Sequence, residues 1–150
     1  MPSDAELEAL FQDTILAHYR RPRNKGPLAG ATAGALIRNP ACGDEIEVQV
    51  ALDPDGRLRD AKFTGQGCSI MQASASMMTE AVRGLTHADV DALGGSVSAM
   101  LEGDARPAAD EQLGDLRALS AVGRFPGRRQ CAALPWRALA KALAHGSSEQ

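Results

Sequence analysis

Hydrophobic positions along the chain follow two periods, one helical and one extended, and the changes between them mark out the elements. Leu7, Leu10, Phe11, Thr14 and Ile15 recur at three- and four-residue spacing, which predicts a helix over about 4–19. Ser3 and Glu6 stand ahead of it as a capping-box pair. The run from Arg20 to Pro27 holds two prolines and a glycine and stops that helix. Its basic cluster reads either as a docking patch for an acidic partner or as a solvated loop. Ile46, Val48, Val50 and Leu52 then alternate with Glu47, Gln49 and Ala51, as a strand with one buried face does. Asp53-Pro54-Asp55-Gly56 is turn chemistry, and Leu58 to Phe63 completes a hairpin. A third strand is expected over 31–38.

After Gly65-Gln66-Gly67-Cys68 the period becomes helical again. Met71, Ala75, Met78 and Val82 share a face, with the methionines as core filler, and the helix ends at Gly84. Thr86 caps a short helix towards Leu93, which Gly94-Gly95 breaks; Val97–Leu101 adds another turn or two. The stretch 105–110 reads as loop, 113–122 as helix, and 123–129 as loop again. A last helix is expected over about 132–144, with Pro135 in its first turn, and residues 146–150 as a frayed tail. Strands early and helices late form the α+β pattern: a small antiparallel sheet of about three strands with helices packed on one face. No repeat or linker interrupts it, so residues 1–150 read as one domain.

Composition removes several classes of function. A net charge of −3 argues against a nucleic-acid binder that neutralises phosphates, and 3% aromatic residues are too few for a base-stacking platform. No apolar stretch approaches a membrane span, and the N-terminus carries no signal-peptide pattern, so a cytoplasmic protein with reduced thiols is expected. Gly65-x-Gly67 lacks the third glycine of a dinucleotide loop, and chain context suggests no Ser-His-Asp grouping.

Three cysteines, an odd number, fit poorly with a disulfide framework and leave free thiols or metal ligands. Cys42 lies in a turn before a strand, while Cys68 and Cys131 each read as preceding a helix. There the helix dipole favours the thiolate. Asp44 follows Cys42 across a glycine and can direct a carboxylate to the same point. Three thiolates and a carboxylate form a four-ligand set suited to zinc. The spacings match no finger motif, so the fold must assemble the ligands, and scattered core thiols remain the other reading.

The wider motifs narrow the choice. Asn39-Pro40-x-Cys42-Gly43-Asp44, Gly65-x-Gly67-Cys68-Ser69-Ile70 with Ala73-Ser74-Ala75-Ser76-Met77-Met78, and Cys131-Ala132-x-Leu134-x-Trp136 occur in order. His18-Tyr19 followed by Pro22-Arg23-Asn24-Lys25-Gly26 joins them. Together they resemble the SufU branch of the IscU/NifU-like family over nearly the whole chain. The resemblance implies an α+β scaffold with three cysteines and an aspartate at one exposed end. It also implies work beside a SufS-like cysteine desulfurase in iron–sulfur cluster biogenesis. IscU-type scaffolds carry a histidine immediately before the third cysteine, where this chain has Gln130. Phe125-Pro126-Gly127-Arg128 is similar to the SufU pattern, with an arginine three residues before that cysteine. Arg128 would then hold Asp44 or a leaving thiolate; a plain surface arginine is the other reading.

The expected function is a zinc-dependent sulfurtransferase that accepts persulfide sulfur from a cysteine desulfurase and passes it to a downstream iron–sulfur scaffold. Cys42, Asp44, Cys68 and Cys131 are the expected ligands. Cys42, on a flexible loop while the other thiols are pinned at helix starts, is the expected acceptor, with Arg128 beside it. Two alternatives stand next to this one. The same cysteines assemble an iron–sulfur cluster, or zinc merely holds the fold.

Overall fold

A computed structural model of the chain describes residues 4–39, 43–104 and 106–148. Helix α1 (Asp4–Arg20) buries Phe11, Ile15 and His18, spaced four and three apart on one face. Strands β1 (Ala33–Asn39), β2 (Asp44–Leu52) and β3 (Leu58–Gln66) form an antiparallel sheet in the order β1-β2-β3. Along β2 the alternation is realised as Ile46, Val48 and Val50 pointing into the core, paired with Gly65, Phe63 and Ala61 of β3. Glu45, Glu47 and Gln49 face the other way and stay partly exposed. Helices α2 (Ser69–Ala81) and α5 (Pro126–Ser148) pack on the apolar face, α5 against β1 and β2 and α2 against β3. Helix α3 (His87–Leu101) and the short α4 (Leu119–Val122) complete the layer, with 3-10 turns at Arg106–Ala109 and Glu111–Ala118 between them. The α+β architecture, three antiparallel strands under a layer of helices, is the one the chain pattern predicts. Ser3, and the side chains of Glu6, Leu7 and Leu10, lie outside the described set.

Five local expectations are corrected. Gly94-Gly95 does not break α3, because both glycines adopt helical backbone and Val90, Val97, Met100 and Leu101 bury one continuous face. The expected helix over 113–122 is mostly 3-10, with Gly114 at φ 56° interrupting it. The expected loop at 123–129 is helical from Pro126, which takes the first-turn position assigned to Pro135. Pro135 instead lies in the helix interior, and residues 146–148 continue the helix.

The basic segment after α1 is neither free coil nor a regular strand. Lys25 forms a parallel bridge with Phe63, Phe63 N–H donates to Asn24 O at 3.0 Å and Gly26 N–H to Phe63 O at 2.8 Å. Asn24 takes φ 62°, a left-handed value asparagine tolerates, and its amide donates to Thr79 Oγ1. The backbone is thus pinned to the sheet and α2, while the side chains of Arg20, Arg21, Arg23 and Lys25 remain exposed.

Candidate metal centre

Three ligand-type side chains converge where the starts of β2 and α2 meet the second turn of α5. Asp44 is the first residue of β2, held by pairing with Asn39, and is 5% exposed. Cys68 is the N-cap of α2, with extended backbone and no side-chain capping bond, so its half-buried thiol is not engaged with the helix end. Cys131 lies in α5 and is 6% exposed. One donor atom from each of the three lies within 4.8 Å of the others. Zinc–sulfur bonds of about 2.3 Å place tetrahedral donors roughly 3.5–4 Å apart, so a small closure suits a thiophilic cation.

Two glycines make room for this meeting. A side chain at Gly65 would strike the backbone of Glu45, and one at Gly67 would lie 2.8 Å from Asp44 Cγ and 2.6 Å from Met71 Cε. The Gly-x-Gly segment is therefore the space into which the Asp44 carboxylate turns. Gln72, one turn beyond Cys68, steadies it by donating from Nε2 to Gly65 O at 3.2 Å.

The electrostatics call for a cation. Asp44 Oδ2 is buried without a hydrogen-bond partner. An orphaned buried acceptor costs about 1–3 kcal/mol, and more when charged. Burial pushes the Cys131 thiol from its ordinary 9.0 up to about 12, and the hydrogen bond and charge of Cys68 and those of Asp44 push the same way. A divalent ion reverses both penalties at once. The residues present thus fit a bound metal.

The expectations for the cysteines divide. Asp44, Cys68 and Cys131 are brought together. Cys42, two residues before Asp44, lies outside the described residues. Cys68 does stand at a helix start, but Cys131 does not: five residues of α5 precede it, and its pKa rises rather than falls. The helix-dipole argument fails there because Pro126, not Ala132, opens the helix. Arg128 is exposed on the first turn of α5, one turn before Cys131.

A second cluster was invisible in chain order. His18 Nε2 lies 2.8 Å from Asp115 Oδ2 and Nδ1 lies 2.7 Å from Ser76 Oγ, a Ser-His-Asp series that chain context does not suggest. Arg23 N–H donates to the same Ser76 oxygen at 2.8 Å. Both ring nitrogens and the Ser76 hydroxyl are partnered when Nε2–H donates to Asp115 and the Ser76 hydroxyl donates to Nδ1. Ser76 is fully buried, so the series is not a nucleophilic triad.

Comparison with known proteins agrees with this geometry. The chain is 42% identical over 144 residues to the zinc-dependent sulfurtransferase SufU of Bacillus subtilis, covering 96% of each. It is 38% identical over 146 residues to the iron–sulfur cluster assembly scaffold protein IscU of Streptococcus pyogenes, covering 97% of this chain and 90% of that one. The N-terminal NifU-like protein of Brucella abortus shares the fold, with a TM-score of 0.84 over 96% of this chain and 99% of that one at 23% identity. Residues 10–132 match the NifU-like N terminal domain, and the chain belongs to that family.

Proposed function

We propose that this protein is a zinc-dependent sulfur acceptor and carrier, working with a cysteine desulfurase in iron–sulfur cluster biogenesis. The observation that carries the reading is the bare, buried Asp44 oxygen facing a pair of thiols. Membership of a family with a zinc-dependent sulfurtransferase among its members supports it. Asp44, Cys68 and Cys131 would hold zinc, with Cys42 as the fourth ligand. Bound zinc supplies the charge that keeps thiols deprotonated, and it brings no redox chemistry of its own.

The chain's own groups perform the transfer. The Cys42 thiolate attacks the outer sulfur of the desulfurase persulfide. A new S–S bond forms on Cys42, the desulfurase S–S bond breaks, and the desulfurase cysteine leaves as thiolate. Arg128, one turn from Cys131, offers a guanidinium to Asp44 or to that leaving thiolate. A carboxylate is a harder ligand than a thiolate, so Asp44 would be the more labile member of a set holding zinc. No helix among the described residues is long and apolar enough to cross a membrane, and the reading places the protein in the cytoplasm.

The test is metal analysis of the purified protein together with a cysteine desulfurase assay before and after chelation. Zinc with chelator-sensitive stimulation is expected. An iron–sulfur chromophore would instead favour assembly of a cluster on the same cysteines, and zinc without any effect on the desulfurase would make the metal structural.

A further inference from the structure

The two described thiols of the centre arrive on different helices, Cys68 at the start of α2 and Cys131 within α5. Something must set their separation, and α5 is poorly equipped to do so alone. Pro135 stands four residues after Cys131 and has no N–H, so the Cys131 carbonyl lacks its helical donor. The proline ring also crowds that carbonyl, loosening the turn on which the thiol sits.

The adjacent carbonyl is held from outside. Ser74, fully buried on α2, donates its hydroxyl to Ala132 O at 2.7 Å, across 58 residues of chain. A serine inside a helix commonly turns back to the carbonyl four residues before it; Ser74 reaches across to the other helix instead. Small buried neighbours, Ala73 and Ala75 on α2 and Ala132 on α5, allow that approach.

We propose that Ser74 is a positioning residue for the metal centre, fixing the Cys131 turn of α5 against α2 so that both thiols reach one ion. The proposal rests on the metal-binding reading above. Ser74 is not one of the grouped ligand-type residues and acts through the Ala132 carbonyl. Ser76, two residues further along α2, provides the contrast. It is equally buried but bonds to His18 and takes no part in the α5 crossing.

The experiment compares wild type, Ser74→Ala and Ser76→Ala. Zinc affinity is measured by competition with a chromophoric chelator, cobalt-substituted protein is examined by electronic absorption, and the metal-free proteins are melted. Alanine favours helix, so Ser74→Ala folds. It is expected to lose zinc affinity on the order of ten-fold and to shift the cobalt ligand-field bands. Ser76→Ala is expected to melt earlier with its cobalt spectrum unchanged. A Ser74→Ala protein with wild-type affinity and spectrum overturns the proposal alone. So does a Ser76→Ala spectrum shifted as far, since general loosening would then suffice. Wild type that fails to bind zinc overturns this proposal and the metal-binding reading together.

Discussion

Among the described residues, two clusters of three chemistry-bearing side chains can be set side by side, and they differ in one respect. Asp44, Cys68 and Cys131 converge with an acceptor left bare. Ser76, His18 and Asp115 converge with both imidazole nitrogens and the buried hydroxyl partnered. By residue type the second is the more suggestive, and a cleft of about 480 Å³ opens beside its His18 and Asp115. Yet a hydrogen-bond chain that is already complete has nothing to offer a ligand, whereas a buried carboxylate oxygen without a partner requires one. A bare carboxylate oxygen grouped with two thiols, not the resemblance to a triad, is what makes the first cluster the candidate site. The saturated cluster is a clasp, tying α1 and the 3-10 segment at 111–118 to α2.

Substitution in the two clusters should therefore separate metal binding from stability. Cys68→Ser or Cys131→Ala should reduce bound zinc to near zero, measured by elemental analysis. Zinc retained in full by either variant would remove it from the ligand set. Asp44→Ala should bind zinc about 10–100-fold more weakly, by chelator competition, with its helical circular dichroism unchanged. Asp44→Cys should bind at least as tightly but transfer sulfur more slowly; equal speed would show that ligand lability is not what the carboxylate provides. In the clasp, His18→Ala should cost about 2–3 kcal/mol in urea unfolding, because Ser76 and Asp115 both lose a partner. Its zinc content should stay at the wild-type level, and loss of zinc there would erase the distinction between the clusters. Gly67→Ala should be intermediate: the added methyl meets Asp44 and Met71, costing about 1–3 kcal/mol and weakening zinc binding as well.

The last expected effect is a pH dependence of the chelator-stripped protein. Folding raises the Cys131 thiol from 9.0 to about 12, which favours its protonated form in the native state. That stability is complete below pH 9 and is lost as pH climbs from about 9 through 12. Wild type should consequently lose more stability than Cys131→Ala over this interval, when both are unfolded in urea at each pH. Parallel curves would show that the thiol is not held protonated by its burial.

Local features of the fold were legible and distant ones were not. Alternation from Ile46 to Leu52 specifies β2 because a pleated strand must turn one face inward, and the Asp53–Gly56 turn sets its partner. The ends of α5 were misjudged because two prolines, Pro126 and Pro135, compete for one helix start, and only packing decides between them. Reading the start at Ala132 puts Cys131 at a helix end, whereas it lies inside the helix, and this inverts the expected direction of its pKa. Gly67 was legible as loop punctuation, but its role as room for Asp44 depends on a strand 23 residues earlier. The His18 clasp joins residues 58 and 97 positions apart, separations at which no local pattern exists.

The order in which the ligands are assembled bears on when metal enters. Asp44 and Cys68 flank one hairpin, β2 to β3, so their approach needs only a short loop to close. Cys131 follows 63 residues after Cys68 and arrives only when α5 docks on the sheet. Closing so long a loop is entropically costly until the native contacts of α5 offset it. An unfolded or half-synthesised chain thus presents isolated thiols with little claim on a cation, and tight binding begins only once the last helix is seated. Metal occupancy would then follow completed folding rather than precede it.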